Sequence, residues 1–276
     1  MAVLRILLVA LLSIFSGVTA FRTLQPPTVS TVQTFSKKPA TTSVGSFGRI
    51  IPTYNGILKS ESTPGIGEGR NLPAPSGVNQ MPEPTQAAIV LGLMASLVAG
   101  TAVCSAGLDA ISATFPVAFS VWQKSWPLLG PGFVLAGVSH FTLHDDFCNI
   151  YPPKGTWGFW YLPGSPSFHV NWTGIVEIVG GLMLSIGGIA NAFNVSLPTA
   201  MSLFLPDGAL ILCALTYVVS FANIYMYTHG AILPEAMKEA GEVPIAGHVI
   251  RFILQIFLLA LYWQMGRSEP LIAFLL

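Results

Sequence analysis

Beyond residue 86 the chain is dominated by five long apolar stretches, each set off by glycine, proline or a polar cluster. They cover residues 87–108, 128–144, 172–193, 199–227 and 248–265. None alternates apolar with polar positions, so the pattern predicts helices rather than strands of a barrel. In hydrocarbon a backbone must satisfy its own polar groups, and about 20 apolar residues suffice to cross roughly 30 Å. Gly92, Gly100 and Gly107 in the first stretch would let a neighbouring helix approach closely, and the second stretch carries Gly130, Gly132 and Gly137. The fourth stretch carries Pro206-Asp207-Gly208, which reads as an interruption. Between the second and third lies a proline-bearing segment dense in aromatic residues: Tyr151, Trp157, Phe159, Trp160, Tyr161 and Phe168. Such a segment suits the head-group interface or a lid over the mouth of a bundle.

The first 86 residues follow different rules. Residues 1–20 read as a signal peptide: Arg5, an apolar run over 6–15, then small residues at Val18 and Ala20. The run is too short to span a bilayer. Residues 21–60 hold five basic residues, twelve serines or threonines and no acid, the composition of a transit peptide. Residues 61–85 are rich in proline and glycine and read as a linker, leaving 86–276 as the membrane domain. A signal peptide followed at Ala20-Phe21 by an aromatic residue and a basic, hydroxyl-rich tail resembles the bipartite presequence of diatoms and related algae. That resemblance implies import into a plastid, with thylakoid or envelope as the destination.

Composition agrees with the pattern. Of 276 residues, 52% are hydrophobic and 9% charged, against about 25% charged in an ordinary soluble domain. The net charge is zero, so nothing suggests a nucleic-acid partner; the partner implied first is the lipid bilayer. Three cysteines, Cys104, Cys148 and Cys213, form no Cys-x-x-Cys pair, which argues against a disulfide framework or a thiolate zinc site. Lys154 and Lys238 on one side balance Lys124 and Arg267 on the other, so charge sets no orientation.

Candidate chemistry rests on the few polar groups inside apolar stretches. Glu177 stands in the third and Arg251 near the start of the fifth. Each is costly alone, and each would relieve the other if their helices touched. The pair could form a pocket for a head group or a proton relay, or a structural ion pair. Asn223 is a buried amide in need of a partner, with Glu177 or Arg251 the expected one, and Gln255 follows Arg251 by one turn. His140 and His144, four apart, would share a helix face, and with Asp145 they form a weak candidate metal set. Asp109 and Asp207 read as caps or interfacial residues.

Four elements then fall in one order: Gly137-Val-Ser-His140-Phe141, Gly174-Ile-Val-Glu177, Asn223-Ile-Tyr-Met226, and Arg251 with Gln255. This order resembles the DoxX-like integral membrane family, over about residues 128–265. The resemblance implies an all-α fold, a four-helix transmembrane bundle, here with one extra N-terminal transmembrane helix. It implies a polar core of Glu177, Asn223, Arg251 and Gln255 with His140 near its mouth. The family includes the membrane subunit of a thiosulfate:quinone oxidoreductase, so the implied function is a component of a redox system with a quinone as ligand. The alternatives are an auxiliary or assembly subunit of a photosystem or other photosynthetic complex, and a small-molecule carrier. The carrier is the weaker of these, because the chain shows no internal repeat of its helix pattern.

Overall fold

A computed structural model describes residues 74–230 and 243–267. Every regular element among them is helical. In chain order these are α1 (Glu83–Thr114), α2 (Pro116–Gln123), α3 (Leu129–Thr142), α4 (His144–Asn149), α5 (Pro166–Ala192), α6 (Phe204–His229) and α7 (Ile245–Gly266). Four helices, α1, α5, α6 and α7, are long and apolar enough to cross a membrane, which makes this a multi-pass helical membrane protein. The presequence, the residue pair Ala20-Phe21 and most of the linker lie outside the described residues.

The elements differ from the sequence pattern in instructive ways. The second apolar stretch yields α3, only 14 residues, or about 21 Å, entered through a 3-10 turn at Trp126–Leu128. It stops at Thr142 because Leu143 leaves helical geometry (φ −118°, ψ 38°). Pro206-Asp207-Gly208 does not interrupt a helix; it sits in the first turn of α6. There an amide hydrogen has no intrahelical partner, so proline is tolerated, and Asp207 faces the positive end of the helix dipole. Helix α1 begins inside the expected linker, at Glu83, with a proline in its first turn.

The helices pack in the series α3, α5, α6, α7, α1. The tightest seam joins α3 to α5, and glycines make it. A Cβ on Gly137 would lie 2.6 Å from the Gly174 carbonyl oxygen, and one on Gly181 would lie 2.7 Å from that of Gly130. The glycines are seven apart on each helix, two turns on one face, and they pair in reverse order, so the two backbones touch antiparallel. On the far side of the series, Gly100 of α1 lies under Ile256 of α7. Gln264 of α7 donates to Ser105 Oγ (2.8 Å) of α1.

Two apolar clusters fill the interior. One gathers Leu108, Phe119, Trp126, Leu184, Leu212 and Tyr262; the other gathers Val90, Met94, Leu97, Trp157, Trp160 and Tyr225. The second contains the aromatic segment that follows α4, folded inward over the bundle. Trp157 adopts a left-handed backbone (φ 57°) between Gly155 and Gly158, themselves at positive φ. Such a conformation costs about 1–3 kcal/mol in a non-glycine residue. It is offset because the indole is 2% exposed and donates to Thr228 Oγ1 at 3.1 Å.

Candidate functional site

The polar residues singled out from the sequence do converge on α3, α5, α6 and α7, but with different partners. Glu177 is buried in the middle of α5 and faces His140 of α3, with Nε2 3.4 Å from Oε2. The glycine seam makes this possible. A Cβ on Gly174, one turn before Glu177, would lie 2.7 Å from His140 Cβ, so only glycine there lets the imidazole lie alongside α5.

The protonation of this pair follows from its surroundings. His140 Nδ1 is 3.0 Å from the Val170 carbonyl and 3.1 Å from Thr173 Oγ1. A carbonyl only accepts, and the Thr173 hydroxyl donates to backbone carbonyls of its own helix, so Nδ1 carries the hydrogen. Nε2 then presents either a lone pair or a second proton to Glu177. Two facing lone pairs in a dry interior repel, so the pair holds a proton between them or takes a donor from elsewhere. The separation and alignment do not amount to a hydrogen bond, and Glu177 Oε2 has no hydrogen-bond partner.

Glu177 is among the residues that line a cavity of about 260 Å³. Its wall is largely apolar and aromatic, from α5, α6 and the segment after α4, with Phe147 tilted against the His140 ring at 4.0 Å. Two more of its lining residues carry a buried polar atom with no hydrogen-bond partner among the described residues: the Tyr151 hydroxyl and the Trp160 indole N–H. The Trp160 N–H lies close enough to favour the ionised phenol, yet the two do not reach hydrogen-bond geometry. Burial outweighs this and pushes the Tyr151 phenol up. Of six such orphaned atoms among the described residues, three therefore belong to residues that line one cavity. Buried polar groups are normally paired, and a cluster of unpaired ones around a space is what a ligand or ordered water completes.

Arg251 does not pair with Glu177, because α6 stands between α5 and α7. Its Nη1 reaches Asn223 Oδ1 at 3.3 Å and Met226 Sδ at 3.7 Å. Gln255 bolts α7 to α6 instead, donating to Ser220 Oγ (2.6 Å) and the Thr216 carbonyl (3.2 Å). Arg251 and Gln255 line a second chamber of about 180 Å³, and Asn223 lines both. The expected single polar pocket is thus two chambers sharing one amide.

The weak metal set is also dissolved. The helix breaks at Leu143, so His140 and His144 are not on one continuous face. His144 meets Ser167 (3.1 Å), Cys148 (Nδ1–Sγ 3.6 Å) and the fully exposed Asp145 (3.6 Å). Among the described residues no group of three histidines, cysteines or acids could hold a metal ion. Burial, and then Asp145, push the Cys148 thiol up, away from thiolate chemistry. Asp109, read as a cap or an interfacial residue, lies inside α1 rather than at its end and accepts from Gln264 and Arg267 at the end of α7.

Sequence reasoning placed Glu177 and His140 but passed over Tyr151 and Trp160 as individual groups. Only the aromatic density of 147–170 hinted at them. The chain matches no protein-family model, no curated protein and no solved structure.

Proposed function

We propose that this chain is a DoxX-like plastid membrane protein whose larger cavity binds the head of a quinone-like ligand, as the membrane component of a redox system. The observation that carries the reading is the convergence of Glu177, Tyr151 and Trp160 as unmet polar groups around one apolar cavity. A quinone ring has apolar faces and two carbonyl oxygens, and those need donors. The Trp160 N–H and Tyr151 O–H are donors without acceptors among the described residues, and a proton shared by the Glu177–His140 pair would add a third. At about 260 Å³ the cavity sits just below the usual range of roughly 300–1,000 Å³. It suits a ring and leaves an isoprenoid tail to run out among the lipids.

The residues of this chain would bind the ring, exclude water and hold a proton at Glu177 Oε2 or His140 Nε2. Electrons would come from a redox partner, which is why a component rather than a complete enzyme is proposed. The test is quenching of tryptophan fluorescence by a decyl-tailed quinone in purified protein. Saturable quenching weakened at least about tenfold by Glu177→Gln supports the reading, a factor of about 1.4 kcal/mol. Equal affinity in wild type and variant would mean that the quinone does not bind at Glu177, and no saturable quenching would mean that it does not bind at all. The plastid address is tested separately by fusing residues 1–60 to a fluorescent protein. Phe21→Ala should divert the fusion from the plastid, and unchanged import would refute the motif.

One observation favours the auxiliary-subunit reading. Of the most apolar stretch of α1, 17% is buried within the protein, against 56% for α5. Gly92 and Gly107 of α1 face open space, where a partner helix could approach closely. Co-migration with a photosystem on a mild-detergent native gel would support this, and migration as a small free species would count against it.

A further inference from the structure

The smaller chamber has its own chemistry, independent of Glu177. It lies between α1, α6 and α7, walled by apolar side chains such as Leu93 and Phe252, with Arg251, His248 and Asn223 as its polar edge. Among the described residues the hydrogen-bond partners of Arg251 are neutral, and both contacts run through one terminal nitrogen, Nη1. Among the described residues no carboxylate lies within ion-pair distance of it. A guanidinium is a planar fork of five N–H donors that matches a carboxylate or phosphate with two parallel bonds. Among the described residues most of that fork is unused, in a half-buried position where a cation without a partner is costly.

The surroundings say what kind of anion fits. Arg251 is six residues into α7, about 9 Å from its first residue and within reach of the helix end. Val249 lines the chamber yet is 51% exposed, and Ile250 and Ile253 beside it are 58% and 59% exposed. An apolar tail therefore has a path from the chamber along the outer face of α7. We infer that the Arg251 chamber binds the carboxylate or phosphate head of an amphiphile whose tail lies along that face. Asn223, which holds Arg251 and also lines the larger cavity, would feel occupancy of both chambers.

The experiment is native mass spectrometry of the full chain, exchanged into a mixture of phosphatidylcholine, phosphatidylglycerol and oleate. One anionic amphiphile per chain is expected, with phosphatidylcholine excluded. Arg251→Gln should lower occupancy roughly tenfold or more, the loss of a charge-assisted pair. Arg251→Lys should keep part of it. Leu93→Trp fills the chamber with Arg251 intact and should expel the amphiphile, which decides the matter even if Arg251→Gln does not fold. Arg267→Gln, at the other end of α7, should change nothing. Retention of phosphatidylglycerol identifies a phosphate head and retention of oleate a carboxylate; both support the site. Equal binding of phosphatidylcholine, undiminished occupancy in Arg251→Gln or Leu93→Trp, or equal loss in Arg267→Gln would overturn it.

Discussion

Asp109 and Glu177 are both acids within long apolar helices, and the fold treats them oppositely. Asp109 accepts three hydrogen bonds: Arg267 Nη2 and Gln264 Nε2 to Oδ1 at 2.8 and 3.1 Å, and Arg267 Nη1 to Oδ2 at 3.0 Å. Yet its side chain is 46% exposed and that of Arg267 43%, so solvent discounts the pair to about 1 kcal/mol at most. Glu177 is 7% exposed and one of its oxygens meets no donor. The acid that least needs partners has three, and the acid that most needs one faces a cavity. Pairing at Asp109 closes a seam between α1 and α7, whereas the unmet oxygen at Glu177 is what the proposed ligand would complete.

Four tests, on five substitutions, would break or sharpen that contrast. The largest effect is expected from Gly137→Val, which wedges a side chain against the α5 backbone and carries His140 away from Glu177. We expect about 3 kcal/mol of destabilisation, read as collapse of the unfolding midpoint in detergent. Wild-type stability would refute the glycine seam. Next is Glu177→Gln, which removes an unmet buried acid. Its stability should hold or rise by about 1 kcal/mol while quinone binding falls, the reverse of a structural ion pair. A sharp loss of stability would mean that Glu177 is already satisfied.

The indoles give the third test. Trp157→Phe breaks the bond to Thr228 and should cost about 1 kcal/mol beyond the change in packing, whereas Trp160→Phe removes an N–H that bonds nothing. Trp160→Phe should therefore be the milder in stability and the harsher in quenching by the quinone. Comparable destabilisation by both would undo the distinction between structural and ligand-facing indoles. The smallest effect is expected from Asp109→Asn, about 0.5 kcal/mol and shrinking further in high salt. A loss of several kcal/mol would show that the α1–α7 seam depends on this pair.

Much of the membrane architecture was legible along the chain, because hydropathy acts over about 20 consecutive residues and needs no knowledge of neighbours. The spans holding α1, α5, α6 and α7 and the polar residues within them were read directly. Boundaries were less legible. A proline in a first turn and one in a helix interior look alike in sequence, so Pro206 read as an interruption. Two histidines four apart share a face only if the helix continues, and Leu143 ends it.

Pairing was the least legible. The sequence by itself determined that Glu177 and Arg251 would be expensive, because desolvation cost depends on residue type and on the apolar run around it. It also determined that close helix contacts were open to the chain, since glycines leave a helix face bare, although of Gly92, Gly100 and Gly107 only Gly100 meets a neighbour among the described residues. Only the tertiary structure decided that His140 faces Glu177, that Arg251 turns to Asn223, and that Tyr151 and Trp160 fold inward from a loop. Those outcomes depend on how each helix rotates against its neighbour. That rotation is fixed by contacts between residues far apart in the chain, above all the backbone-to-backbone seam of α3 and α5.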